Sequence, residues 1–256
     1  MSAVRIRPLA PNCPDDGTGI RVSLKRRILR VRIPLGVPNL QYTKEFMITC
    51  ISLPQLMHPP KKFIERAESI TQSLIDGTCQ DQPINVGLFN KGYNERTYLR
   101  HGVELPTRLG RMYHLGDDFN DWVKDYIHPH PQETGLNALV PFTAPIMGPH
   151  IDTKRKYVLF YMIALGGDNV QTVFYKERGH TVDRTHSLGP SGVGYYVKDY
   201  KNLEVFDMIN MQRGIWYLMS PKIIHSVENV MGARTAITVS VPDMDQFPWK
   251  NRVPVE

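Results

Sequence analysis

Two textures of apolar patterning divide the chain near residue 137. Ahead of it, "HPPKKFIERAESITQSLIDG" carries Phe63, Ile64, Ala67, Ile70, Leu74 and Ile75 at helical spacing, with Pro59 and Pro60 before it and Gly77 after it. That periodicity predicts an amphipathic helix with a proline entry and a glycine stop. "GDDFNDWVKDYIHP" predicts a second helix, with Asp117 or Asp118 near its start and Phe119, Trp122, Val123 and Tyr126 on the buried side. Beyond residue 137 short strands alternate with turns. "LNALVPF" leads into "PIMGPHID", and "KYVLFYMIAL" is apolar on both faces, as a strand covered on both sides must be. Gly166-Gly167-Asp168-Asn169 turns the chain into "VQTVFYK", and Gln212-Arg213-Gly214 separates "NLEVFDMIN" from "GIWYLMS". "ARTAITVSV" is the last strand. Residues 176–202 lack any period and read as a long excursion or lid. The fold class that follows is α+β, with early helices packed on an antiparallel barrel or double-sheet sandwich.

Residues 1–57, rich in proline and β-branched side chains, have the texture of an extended arm, and 58–256 of a single domain. The net charge of +6 lies entirely within residues 1–40, which hold eight basic side chains against Asp15 and Asp16. "RVSLKRRILRVRIPLG" could meet nucleic acid or another polyanion, but an edge strand with solvated basic side chains is the favoured reading. No apolar run approaches the ~20 residues of a membrane span. The opening "MSAVRIRPLAPNCPDDG" has no apolar leader core, and Cys13, Cys50 and Cys79 match neither a zinc nor a disulfide pattern, so a reducing, cytoplasmic setting is expected.

The candidate chemistry begins at "GPHID". An imidazole and a carboxylate two residues apart, His150 and Asp152, have no structural purpose ahead of a core strand. His225 supplies a second imidazole. Two histidines and one carboxylate on one face of an octahedral ion leave three positions open, the arrangement of non-haem Fe(II) oxygenases. Arg234 follows His225 by nine residues and opens a strand on which Arg234, Ala236, Thr238 and Ser240 share one face, while Thr235, Ile237, Val239 and Val241 share the other. The first face is small and polar and suits a cavity; the second suits packing beneath helices. A guanidinium there can pair bidentately with the distal carboxylate of a 2-oxo diacid, with the Thr238 hydroxyl as a second donor. The paired histidines of "HPH", His128 and His130, flank a proline and read as a turn, and His180 and His186 fall in the excursion.

The order His-x-Asp, glycine-led strand, His, then Arg nine residues on resembles the Fe(II)/2-oxoglutarate-dependent oxygenase superfamily over about residues 135–242, and "RTAITVSV" is similar to the closing strand of its prolyl-hydroxylase-like members. The resemblance implies a double-stranded β-helix, or jelly-roll and cupin-like core. It implies Fe(II) on His150, Asp152 and His225, and 2-oxoglutarate on Arg234 and Thr238, with Tyr157 or Tyr161 as a further contact. These four residues, His150, Asp152, His225 and Arg234, would be the catalytic set. O₂ is the co-oxidant and ascorbate a supporting reductant. The implied reaction is hydroxylation of an amino acid, a peptidyl residue or another small molecule, with release of succinate and CO₂. Asp152 argues against halogenation, which needs a small residue at that place. Nucleic-acid demethylases of the superfamily carry a second arginine where Ser240 stands here. A non-catalytic, metal-binding cupin-like module would have no use for Arg234.

Overall fold

The computed structural model describes residues 49–84, 97–106, 110–139, 147–152, 155–179, 193–197 and 199–243. In chain order these form β1 (Cys50–Leu53), α1 (Lys61–Ile75), β2 (Thr97–Arg100), β3 (Val103–Pro106), β4 (Arg111–Tyr113), α2 (Asp117–Tyr126), β5 (Glu133–Leu139) and β6 (Met147–Asp152). There follow β7 (Tyr157–Leu165), β8 (Gln171–Glu177), β9 (Val193–Tyr196), β10 (Leu203–Ile209), β11 (Trp216–Met219), β12 (Ile224–Glu228) and β13 (Arg234–Val241). Every described residue belongs to one unit that begins at Phe46.

Pro59 and Pro60 open α1, and at its end Thr78 N–H reaches back to the Ser73 carbonyl, a closure that needs the left-handed Gly77 at φ +68°. Phe63, Ala67, Ile70, Thr71 and Leu74 are buried, whereas Ile75 is exposed, because it lies 100° round the helix from Leu74. Gly116 stands at the N-cap of α2, and Asp117 and Asp118 occupy its first turn, where the exposed amide dipoles favour carboxylates. Asp118 also receives Lys62 and Arg66 of α1. Phe63 meets Phe119 edge-on at 5.2 Å, and Trp122 stacks on the partly exposed Tyr126.

The strands form a six-stranded sheet ordered β1-β11-β7-β13-β5-β4, a five-stranded sheet ordered β10-β8-β12-β6-β9, and the β2-β3 hairpin. All pairings within them are antiparallel. Helices α1 and α2 pack on one face of the larger sheet. There Leu159, Tyr161 and Ile163 of β7 and Ile237, Val239 and Val241 of β13 join Phe63, Phe119 and Trp122 in the main core. Each large apolar side chain buried in that layer contributes about 1.5–3 kcal/mol. Thr235, on the same face of β13, meets Thr71 of α1 hydroxyl to hydroxyl at 2.9 Å. The opposite faces of β7 and β13 look toward the smaller sheet, so β7 is covered on both sides.

Residues 1–48, with the whole basic stretch, lie outside the described residues, as does most of the excursion at 176–202. The end of the segment expected as an arm is built into the fold: β1 pairs with β11 as the edge of the larger sheet. Among the described residues no helix is long and apolar enough to cross a membrane.

Candidate metal centre

His150 and His225 are direct cross-strand partners on β6 and β12, and their rings stand 4.3 Å apart, centre to centre. Inward-facing positions on neighbouring strands bring such residues together at the centre of a sheet. Asp152 ends β6, and its backbone N–H is fixed by the Pro221 carbonyl just ahead of β12. All three side chains are buried and line one cavity between the sheets, of about 50 Å³.

Each imidazole is oriented in the same way. Nδ1 of His150 lies 2.8 Å from the Gly148 carbonyl, and Nδ1 of His225 lies 2.8 Å from the Ile223 carbonyl. A carbonyl only accepts, so Nδ1 carries the proton and the neutral ring has its lone pair on Nε2, as metal-binding histidines do. Burial lowers the affinity of both rings for a second proton. For His225 the value falls to about 3, with the neighbouring His150 adding to burial.

The two oxygens of Asp152 differ. Oδ2 is paired with Arg155 Nη2 at 2.8 Å, whereas Oδ1 is buried without a hydrogen-bond partner among the described residues, 3.7 Å from His150 Nε2. A carboxylate oxygen orphaned beside an imidazole nitrogen is costly unless a cation joins it. The donor set therefore fits a divalent ion that takes nitrogen and oxygen ligands. Among the described residues no three donors are already gathered closely enough to hold an ion. The two rings lean on one another instead.

Arg234 opens β13 on the wall of the same cavity. Its Nη2 lies 3.4 Å from Thr172 Oγ1 on β8 and 3.3 Å from Met211 Sδ, and no carboxylate pairs with it among the described residues. Burial without an acidic partner pulls its pKa down to about 10. Gly166, at φ +82°, makes room for the arginine stem: a Cβ there would come within 2.8 Å of Arg234 Cβ.

Other expected contacts fall elsewhere. Thr238 points its hydroxyl at the Gly135 carbonyl, 3.4 Å away, and at Met112 Sδ, and does not line the cavity. Tyr161 is turned into the helix-side core, its hydroxyl 3.1 Å from His58 Nδ1. Tyr157 packs against that same core. The cavity-facing ring on β7 is Phe160, because tyrosines four residues apart share the face that the helices cover. His128 is a buried core residue, with Nδ1 accepting from His130 N–H. His180 and His186 lie outside the described residues.

Sequence reasoning missed Arg155, which sits among Lys154 and Lys156 and has the signature of a solvated run. It also missed Thr172, whose hydroxyl reaches the site only through the pairing of sheets. The position of Arg155, three residues after Asp152 and just ahead of an apolar strand, was the one available signal.

No protein-family model matches the chain, and no curated protein matches it in sequence. Among solved structures it is similar to an oxidoreductase of the 2OG-Fe(II) oxygenase family from Burkholderia pseudomallei, at 11% identity over 75% of this chain and 84% of that one, with a TM-score of 0.41. It is also similar to a prolyl hydroxylase from Trichoplax adhaerens in complex with a hypoxia inducible factor peptide, at 10% identity over 75% and 82%, with a TM-score of 0.30. The CENP-C cupin domain of Drosophila melanogaster aligns at 11% identity over 69% and 95%, with a TM-score of 0.22. Likeness of this size carries no argument about activity, which rests on the residues of the cavity.

Proposed function

We propose that this chain is an Fe(II)- and 2-oxoglutarate-dependent oxygenase whose paired sheets form a double-stranded β-helix. The observation that carries this reading is Arg234: a guanidinium without an acidic partner among the described residues, on the wall that also holds His150, Asp152 and His225. A cation in that position awaits an anion, and a metal-binding cupin-like module has no need of one.

In this reading Nε2 of His150, Nε2 of His225 and Oδ1 of Asp152 hold the iron. Arg234 receives the distal carboxylate of 2-oxoglutarate, and Thr172 turns its hydroxyl to the same group. Bound Fe(II) and 2-oxoglutarate, with O₂, supply the oxidising equivalent, and succinate and CO₂ are released. The protein's own part is to position a substrate C–H bond and to keep the cavity wall inert. Phe160, Met147, Leu139 and Val227 give it an apolar lining. The substrate class is an amino acid, a peptidyl residue or another small molecule.

The test is succinate formation from 2-oxoglutarate by the Fe(II)-loaded protein under air, alongside His225→Ala and Arg234→Ala. Slow turnover without added substrate is expected in the parent protein and in neither variant. Equal turnover in all three, or none in the parent across a metabolite and peptide screen, would overturn the reading.

A further inference from the structure

We propose that Arg155 is a positioning residue that holds Asp152 to one-oxygen ligation and so keeps a third coordination position open for O₂ beside the keto acid. The inference rests on the metal reading above. Its ground is the unequal state of the two carboxylate oxygens. Arg155 Nη2 pairs with Oδ2 at 2.8 Å, and Oδ1, on the side of His150, has no hydrogen-bond partner among the described residues.

The Arg155 side chain is itself held in place. It is buried, lines the cavity, and lies with Nη1 3.8 Å from Glu133 Oε2 at the start of β5. Glu133 belongs to the larger sheet and Asp152 to the smaller, so the guanidinium lies between a close carboxylate and a more distant one, with its buried Nε unpartnered among the described residues. The single close contact to Oδ2 sets the direction of Asp152 as well as its charge.

The consequence follows from counting positions. An unrestrained carboxylate can give a metal one oxygen or both. With two imidazoles and one oxygen, an octahedral ion keeps three positions, enough for a bidentate keto acid and O₂. With both oxygens of Asp152 bound it keeps two, which the keto acid would fill, leaving none for O₂. A guanidinium on Oδ2 removes the second option. It also lowers the negative charge offered to the ion, so losing it costs orientation but returns charge, and the two effects on metal affinity oppose one another.

A merely structural arginine would behave differently: its loss would weaken metal and keto-acid binding together. Calorimetric titration of Mn(II), then of 2-oxoglutarate into the Mn(II)-loaded protein, and anaerobic titration of nitric oxide, an O₂ surrogate, into the Fe(II)- and 2-oxoglutarate-loaded protein separate the cases without turnover. In Arg155→Met, Mn(II) and 2-oxoglutarate affinities should each stay within about threefold of the parent, while nitric oxide affinity falls at least about tenfold. Arg155→Lys keeps a cation beside Oδ2 and should lose about threefold for nitric oxide with the other two affinities unchanged. That variant carries the test if Arg155→Met does not fold. Parallel losses of Mn(II) and 2-oxoglutarate affinity, or no loss of nitric oxide affinity in either variant, would overturn this role. A parent protein that binds no Mn(II) would instead overturn the metal reading itself.

Discussion

Arg234 and Thr172 meet across the two sheets, Nη2 to Oγ1 at 3.4 Å, although 62 residues separate them in the chain. The arginine belongs to the larger sheet and the threonine to the smaller. At this contact no carboxylate pairs with the guanidinium among the described residues.

Arg234→Ala should weaken 2-oxoglutarate binding at least about 100-fold, since each ~1.4 kcal/mol is a factor of ten and a broken buried ion pair costs about 3–5 kcal/mol. Arg234→Lys should recover part of this, because an ammonium cannot reproduce the fork. Titration of 2-oxoglutarate into Mn(II)-loaded variants measures both, and Mn(II) affinity itself should not move. Unchanged 2-oxoglutarate affinity in Arg234→Ala would place the anchor elsewhere.

The two threonines should separate cleanly. Thr172→Val removes a hydroxyl beside the guanidinium and should cost about tenfold in 2-oxoglutarate affinity, the scale of one hydrogen bond to a charged group. Thr238→Val should cost none, since that hydroxyl faces Gly135 and Met112. The same titration compares them, and a larger loss in Thr238→Val would reverse the assignment.

Gly166→Ala should destabilise the fold by about 1–3 kcal/mol, through a left-handed backbone and a Cβ forced against Arg234. Urea unfolding gives the stability change. Because the clash falls on the arginine stem, 2-oxoglutarate affinity should fall as well. A stable variant with a displaced anchor would show the second effect without the first.

Cys50 packs against the cluster of Phe174, Met219 and Ile223. Burial first, and then the Asp207 carboxylate, push its thiol up to about 12, with Arg234 acting in the opposite sense. In the unfolded chain that proton leaves near pH ~8.5. Above this pH the folded state binds more protons than the unfolded one. Stability should therefore fall as pH rises, by up to about 1.4 kcal/mol per pH unit, until the folded thiol ionises. Cys50→Ala should flatten that slope in urea titrations stepped from about pH 8 to about pH 10. Identical slopes in parent and variant would mean the thiol is solvated.

Strand, helix and face were legible in the sequence because they depend on near neighbours. Alternation along β13 assigned Thr235, Ile237, Val239 and Val241 to the helix side, where the structure places them. The spacing of Phe63, Ala67, Ile70 and Leu74 marked the buried face of α1. His150, Asp152, His225 and Arg234 stood out as polar groups at positions with no structural need of them, and they line one cavity. What the sequence left undetermined are relations between distant strands. β7 is apolar on both faces, so no local signal could say whether Tyr157 and Tyr161 or Phe160 would meet the cavity; only the docking of helices on one side decides it. Thr172 joins Arg234 only because β8 and β13 lie in sheets that face each other. Arg155 carries the same charge as the lysines beside it, and only its burial between Asp152 and Glu133 distinguishes it from a solvated side chain. Periodicity is a property of a segment, whereas the environment of a charge is set by whatever the rest of the chain brings beside it.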